Sequence, residues 1–199
     1  MTGAHALRHF VLASGNPGKL KEYQVLAAGR DFELQLLRGF VVIPEFPEEA
    51  PTFAENAAGK ALYYSRHSSD LVFADDSGLV VPALGGAPGV QSARYAGLGA
   101  SNEAKIAKLL NALQGKTGSD RAAYFVCVIA VALRGRCTDV VSAKVDGMIL
   151  EAPRGAGGFG YDPIFHFPPL AKTFAELEAE EKNQHSHRGK AFRRLMEVL

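Results

Sequence analysis

The chain has 199 residues, with 22 Lys and Arg against 21 Asp and Glu, a formal net charge of +1 before histidine is counted. Near-neutrality excludes a broad cationic clamp for nucleic acid, and 47% hydrophobic with 22% charged residues excludes a disordered chain. The length points to one domain, residues 1–199, that buries roughly 70% of the surface an unfolded chain exposes.

No run reaches the ~18 apolar residues of a membrane span; the longest, residues 122–133, reads as a buried strand. The first ten residues lack a charged start followed by a sustained apolar segment, so no secretory signal is expected and the cytoplasm is the expected location. Residues 10–13 form a short apolar strand that runs into Ser14-Gly15-Asn16-Pro17-Gly18-Lys19, and residues 20–28 follow as a helix. In that loop Gly15 and Gly18 let the backbone approach a ligand, and N–H groups at a helix start attract an anion, phosphate above all. The glycine spacing is wrong for a Walker A loop, and no Ser or Thr follows the lysine. Taken alone, the loop is equally a tight turn with a solvated lysine.

Thr52-Phe53-Ala54-Glu55 has capping-box spacing and opens an alanine-rich helix to about His67 that carries Lys60. Residues 71–74 give the next strand, Asp75-Asp76-Ser77-Gly78 breaks it, and residues 79–84 resume an extended apolar stretch, which places the acidic pair at a strand end. Two carboxylates ~4 Å apart repel by about 4 kcal/mol at an effective dielectric of 20. Strand alternation relieves this by turning them to opposite faces, and a divalent cation relieves it by sitting beside them; an acidic turn in water is the plain alternative. Glu48 and Glu49 are further oxygen ligands, or a solvated acidic loop.

Ile106, Leu109, Leu110 and Leu113 recur at i, i+3, i+4 and i+7, which predicts an amphipathic helix over residues 101–114. Residues 122–133 and 137–145 make an antiparallel hairpin, because Arg134-Gly135-Arg136 is too short for a parallel crossover, so the sheet is mixed. Pairing about Gly135 sets Cys127 near Ala143 rather than Cys137; the two cysteines therefore read as free thiols suited to a reducing compartment. The glycine loop over residues 155–163 carries Phe159 and Tyr161, which suit stacking on a nucleobase or packing of the loop itself. Thr173 to Glu176 repeats the capping-box spacing, and Phe192, Leu195, Met196 and Leu199 stripe a closing helix. Lys182, His185, His187, Arg188 and Lys190 gather cations that suit a multiply charged anion, or a solvated helix face. Zinc through His185 and His187 is disfavoured, since no cysteine or third histidine stands nearby.

Taken together, six ordered motifs resemble the non-canonical purine nucleoside triphosphate pyrophosphatase family, the inosine/xanthosine triphosphatases that cleanse the nucleotide pool. They are residues 14–19, Thr52-Phe53-Ala54-Glu55-Asn56-Ala57 with Lys60, residues 74–79, Gly85-Gly86-Ala87-Pro88-Gly89-Val90 with Ser92-Ala93-Arg94-Tyr95, residues 158–163, and Glu181-Lys182-Asn183 with Ser186-His187-Arg188-Gly189. The resemblance implies an elongated α/β fold with a mixed central sheet flanked by helices, two lobes with a substrate cleft between them, and a homodimer. It implies hydrolysis of inosine, deoxyinosine and xanthosine triphosphates to the monophosphate and pyrophosphate with Mg²⁺.

By the same resemblance, Ser14, Gly15, Asn16, Pro17, Gly18 and Lys19 cradle the triphosphate with Lys60. Asp76 binds metal and accepts the proton of the attacking water, Asp75 supports it and Ser77 contacts substrate. Glu48, or Glu49 if the loop is shifted, completes the metal site. Phe159, Gly160, Tyr161 and Asp162 enclose the base, and Lys182, His187 and Arg188 read it. Ser14 stands where threonine is usual and Gln184-His185 replaces a commoner apolar pair, departures that touch the fine base preference. A catalytically silent nucleotide sensor and a pyrophosphatase for pyrimidine or methylated nucleotides are the competing readings.

Overall fold

The computed structural model describes residues 8–199; the segment read above for a secretory signal lies mostly outside them. Seven strands form one sheet in the order β2-β1-β3-β4-β5-β6-β7. In chain order they are β1 (Arg8–Leu12), β2 (Phe32–Leu36), β3 (Leu71–Val80), β4 (Ala122–Leu133), β5 (Arg136–Ile149), β6 (Phe165–Phe167) and β7 (Lys172–Thr173). β1 runs parallel to β2 and β3, and every later neighbour is antiparallel, so the sheet is mixed as expected. Among the described residues five α-helices accompany it: α1 (Pro17–Ala27), α2 (Phe53–Tyr64), α3 (Asn102–Ala112), α4 (Ala179–His185) and α5 (His187–Val198). No helix among the described residues is long and apolar enough to cross a membrane.

Side chains alternate across β3 and β4 and sort the core onto two faces. Phe10, Leu12, Phe73 and Ile129 meet Tyr23 of α1 and Phe192 and Leu195 of α5 on one face. Further along that face Leu79 and Phe125 pack with Leu109 of α3, Phe165 and Phe174. Val11, Val72, Ala74 and Val128 meet Ala57, Ala61 and Tyr64 of α2 on the other.

The β4–β5 hairpin turns through Arg134 and Gly135, with φ of 50° and 77°, so the loop has two residues rather than three and takes the left-handed pair that matches strand twist. Cys127 pairs with Ala143 as the register predicts, and both cysteines are free, one buried and one exposed.

The predicted break at residues 75–78 does not occur. β3 continues through the polar quartet because β4 supplies partners from Val72 to Val80, and tertiary pairing overrides the weak strand preference of Asp, Ser and Gly. The strand stops at Val80, and the stretch expected to be extended to residue 84 instead turns as a 3-10 segment over Pro82–Leu84. Similarly, α2 ends at Tyr64 and a 3-10 turn covers Ser65–His67. The Thr173–Glu176 capping box is present, but on a 3-10 turn over Phe174–Glu176.

Gly189 sits where α4 and α5 cross, and a Cβ there would run into the Asn183 carbonyl. Gly189→Ala is expected to destabilise the protein by about 1–3 kcal/mol through overpacking, visible as a lower thermal midpoint. An unchanged midpoint would mean that the crossing has slack.

Candidate active site

α1 begins where β1 ends, because Pro17 fits the first helical position and Asn16 caps it: Asn16 Oδ1 accepts the Gly18 and Lys19 N–H groups at 2.9 and 3.1 Å. Ser14 Oγ accepts the Asn16 N–H at 3.3 Å. Several N–H groups expected to face an anion are thus already satisfied within the loop, which leaves charge as the loop's main contribution. Lys19 Nζ lies 3.1 Å from Asp75 Oδ1 and 3.3 Å from the Asp75 carbonyl. Lys60, carried by α2, pairs with Glu48 and approaches the same carbonyl at 3.5 Å. Burial, with Lys19 nearby, lowers the Lys60 ammonium to about 8.

A cavity of about 930 Å³ opens between these elements, large enough for a nucleotide. Ser14, Gly15, Asn16, Pro17, Lys19, Glu48, Lys60, Asp76 and Ser77 line it with Phe159, Gly160, Tyr161, Asp162, Lys182, His187 and Arg188. Gly18 is the exception. It supports Phe159 from outside the lining, where a Cβ would come within 2.6 Å of the ring. Glu49 is exposed and does not line the cavity, whereas Glu48 does.

The acidic pair adopts the alternating arrangement. Asp76 shares its face with Ala74 and receives Asn56 Nδ2 of α2 at 3.0 Å and the Ser77 N–H at 2.9 Å. Burial pushes its carboxyl above the ordinary 3.8, against the pull of Lys19 and Asn56. Asp75 points to the opposite face, toward α1 and α5, where Arg188 Nε and Nη2 donate to its Oδ2 at 3.4 and 3.5 Å. Burial alone would raise Asp75, but Lys19, Arg188 and Lys60 hold it well below the usual carboxylate range.

Across the Asp75 carboxylate from Lys19, Glu22 accepts from both Lys182 and Arg188, Lys182 also reaches Asp162 at 2.5 Å, and Arg188 Nη2 donates to Ser77 Oγ at 2.8 Å. Asp162 in turn accepts the Phe159 N–H at 2.7 Å. The Phe159 ring lies 5.0 Å from Lys182 Nζ and 5.6 Å from the Arg188 guanidinium carbon. Four of the five Arg188 donors and two of the three Lys182 donors are used within the protein, so each cation keeps one for a ligand. The His187 ring stacks on Phe125 at 4.7 Å, and its Nδ1 has no hydrogen-bond partner. Burial first, then Arg188 and Lys182, keep it well below 6.5, which makes it a neutral imidazole at pH 7. His185 packs near Phe167 instead, so the two histidines do not share surroundings. Tyr161 is buried and donates to the Ser92 carbonyl at 3.0 Å.

Glu22, Asn56 and Arg94 were not singled out as site residues by the sequence. Arg94 donates to the Glu48 carbonyl and fixes that loop. Glu22 carried a signal, since Lys19, Glu22 and Tyr23 fall on one helical face. Burial alone would raise its carboxyl, but Arg188 and Lys182 hold it below 4.5. A depressed folded-state value means that the stability Glu22 contributes is present above pH 4.5 and is lost as pH falls through the folded value. The stability gap between wild type and Glu22→Gln is therefore expected to narrow below pH 4.5; a gap that is flat with pH in denaturant titrations would contradict this.

A pocket that joins an acid and two lysines to an aromatic ring beside two buried cations suits the α/β proteins that handle phosphorylated nucleotides. Comparison narrows the class: the Ham1 family profile matches residues 10–198, and the chain belongs to that family. It is 52% identical over 191 residues to the dITP/XTP pyrophosphatase of Geobacillus kaustophilus (strain HTA426), covering 96% of this chain and 94% of the relative. It is 50% identical to the enzyme of that name from Gloeobacter violaceus (strain ATCC 29082 / PCC 7421), covering 96% and 93%. The fold matches that of a HAM1 protein from Coxiella burnetii with a TM-score of 0.86 at 41% identity, over 96% of this chain and 98% of the other. The Ham1 protein of Staphylococcus aureus matches with a TM-score of 0.84 at 42% identity, over 96% and 97%.

Proposed function

We propose that this protein hydrolyses inosine, deoxyinosine and xanthosine triphosphates between the α- and β-phosphates, releasing the monophosphate and pyrophosphate. The observation that carries the reading is that one cavity joins Asp76, Lys19 and Lys60 to Lys182, His187 and Arg188. The 52% identity to a dITP/XTP pyrophosphatase supports it.

Lys19 and Lys60 neutralise the polyphosphate, and Ser14, Gly15, Asn16 and Pro17 form the wall beside it. Asp76 orients the attacking water and accepts its proton; a carboxyl raised by burial is a better base than a solvated one. Phe159 stacks on the purine while Asp162 holds its backbone. The remaining donors on Lys182 and Arg188 suit the 6-oxo group of hypoxanthine or xanthine, and the 6-amino group of adenine would leave them unpaired in a buried site.

Among the described residues no three His, Cys, Asp or Glu side chains gather into a complete metal cage. Asp76 and Glu48 nevertheless both line the cavity, and one or two carboxylates with substrate phosphates and water is the way Mg²⁺ is usually held. The donors therefore fit Mg²⁺, with Asp76 and Glu48 as its protein ligands. When bound it would supply Lewis-acid neutralisation of phosphate charge. We further place the protein in the cytoplasm, which its free thiols suit, and as a homodimer, to be checked by light scattering.

The deciding experiment incubates the purified protein with Mg²⁺ and inosine, xanthosine, adenosine and pyrimidine triphosphates in parallel and identifies products by phosphorus NMR. Pyrophosphate is expected from the first two, with adenosine triphosphate much slower. Binding without pyrophosphate release would instead identify a sensor, and a faster pyrimidine reaction a different substrate class.

A further inference from the structure

Asp75 touches both halves of the cavity without lining it. Its carboxylate is 1% exposed and sits on the opposite sheet face from Asp76, so it is turned away from the acid that would hold metal. One oxygen lies 3.1 Å from Lys19 Nζ. The other receives Arg188 Nε and Nη2 at 3.4 and 3.5 Å, and the Asp75 carbonyl accepts from Lys19 and Lys60 at 3.3 and 3.5 Å. Arg188 is 2% exposed, and its other fixed partners are Glu22 and Ser77.

A guanidinium reads a base only if its plane is held, since a planar fork is specific through orientation. Glu22 grips Nη1 and Ser77 grips Nη2, but only Asp75 takes Nε. Two contacts at the Nη end leave the fork to pivot about its outer nitrogens, and a contact at Nε stops that pivot.

We infer that Asp75 is a positioning residue that locks the Arg188 guanidinium for base recognition while tethering Lys19 of the polyphosphate site, so that base selectivity depends on a carboxylate in contact with neither substrate nor metal. The inference rests on the proposed triphosphatase reading. It differs from a role in supporting Asp76, because strand alternation separates the two carboxylates. The tether also has a direction. A polyphosphate that draws Lys19 toward itself takes a cation away from Asp75, whose charge then falls more fully on Arg188.

The test is Asp75→Asn, with kcat and KM measured separately for inosine and adenosine triphosphates. The ratio of kcat/KM for the two is expected to fall at least tenfold, chiefly through a higher KM for inosine triphosphate, with the Mg²⁺ concentration for half-maximal rate unchanged. An unchanged ratio with a collapsed kcat, or a raised Mg²⁺ requirement, would overturn the inference and move Asp75 into the chemistry of Asp76. General loosening of the fold would lower both substrates alike, and that result also counts against it.

Asp75→Asn leaves Lys19 and Arg188 with less buried countercharge and is at risk of not folding. A measurement on the wild-type protein therefore stands beside it. The Arg188 Nε–Hε resonance, assigned by its absence in Arg188→Lys, is followed as inorganic tripolyphosphate is added. A shift is expected although this ligand has no base, and a resonance that stays in place overturns the tether. Wild-type protein with no preference for inosine over adenosine triphosphate would instead undo the functional reading, while the resonance still reports on the tether.

Discussion

Replacing Asp76 by asparagine is expected to lower kcat for inosine triphosphate by about 10²–10⁴-fold, or about 3–5 kcal/mol of barrier. The side chain keeps its shape and the core around Ala74 and Val128 is undisturbed, but Asn56 Nδ2 and the Ser77 N–H donate to different Asp76 oxygens, so the single amide oxygen keeps one of these bonds and loses the other. What is removed is a proton acceptor and one negative charge beside two lysines. The fold should survive, with circular dichroism close to wild type and a thermal midpoint lowered only by the loss of one hydrogen bond, about 1 kcal/mol. A purified variant that turned over at the wild-type rate would reject Asp76 as the base.

Arg188→Met is expected to act on both stability and selectivity. Breaking a buried ion pair from one side costs about 3–5 kcal/mol, because the surviving charge stays buried. Here Glu22 retains Lys182 and Asp75 retains Lys19, which puts the loss near the low end, about 3 kcal/mol, or a midpoint lower by roughly 6–12 °C. One hydrogen bond from a charged donor to the 6-oxo group is worth about 1.5–3 kcal/mol, so kcat/KM for inosine triphosphate should fall roughly 10–150-fold. Adenosine triphosphate, which cannot accept that bond at its 6-position, should be affected far less. Equal losses on the two substrates would show that Arg188 holds the structure without reading the base.

The periodic parts of the fold were legible from the residues. α3 follows from an apolar stripe, and the β4–β5 hairpin with its register follows from two apolar runs about Gly135. β2 was missed although Phe32-Glu33-Leu34-Gln35-Leu36 alternates, and β6 and β7 are too short for any period to show. The continuity of β3 could not be read locally, because what holds Asp75 and Asp76 in a strand is a partner more than fifty residues away. The same holds for the site. Its composition was visible in the motifs, and the structure brings Ser14 to Lys19, Lys60, Asp76 and the Lys182–Arg188 segment to one cavity, with Gly18 behind the wall. The countercharges were not visible as such: Glu22 is an ordinary helix acid until α4 and α5 close over it. Nor does a sequence motif say that Asn16 uses its loop's amides for its own cap.

Consecutive acids on an unbroken β-strand address separate layers of the molecule, and this leaves the segment no freedom of phase. Inserting one residue between Ala74 and Asp75 would send each acid to the opposite layer, the first to the face of Asn56 and the second to the face of Arg188. Length variation in this scaffold must then fall in the loops and helices around the sheet, because the strand admits substitution but no change of frame.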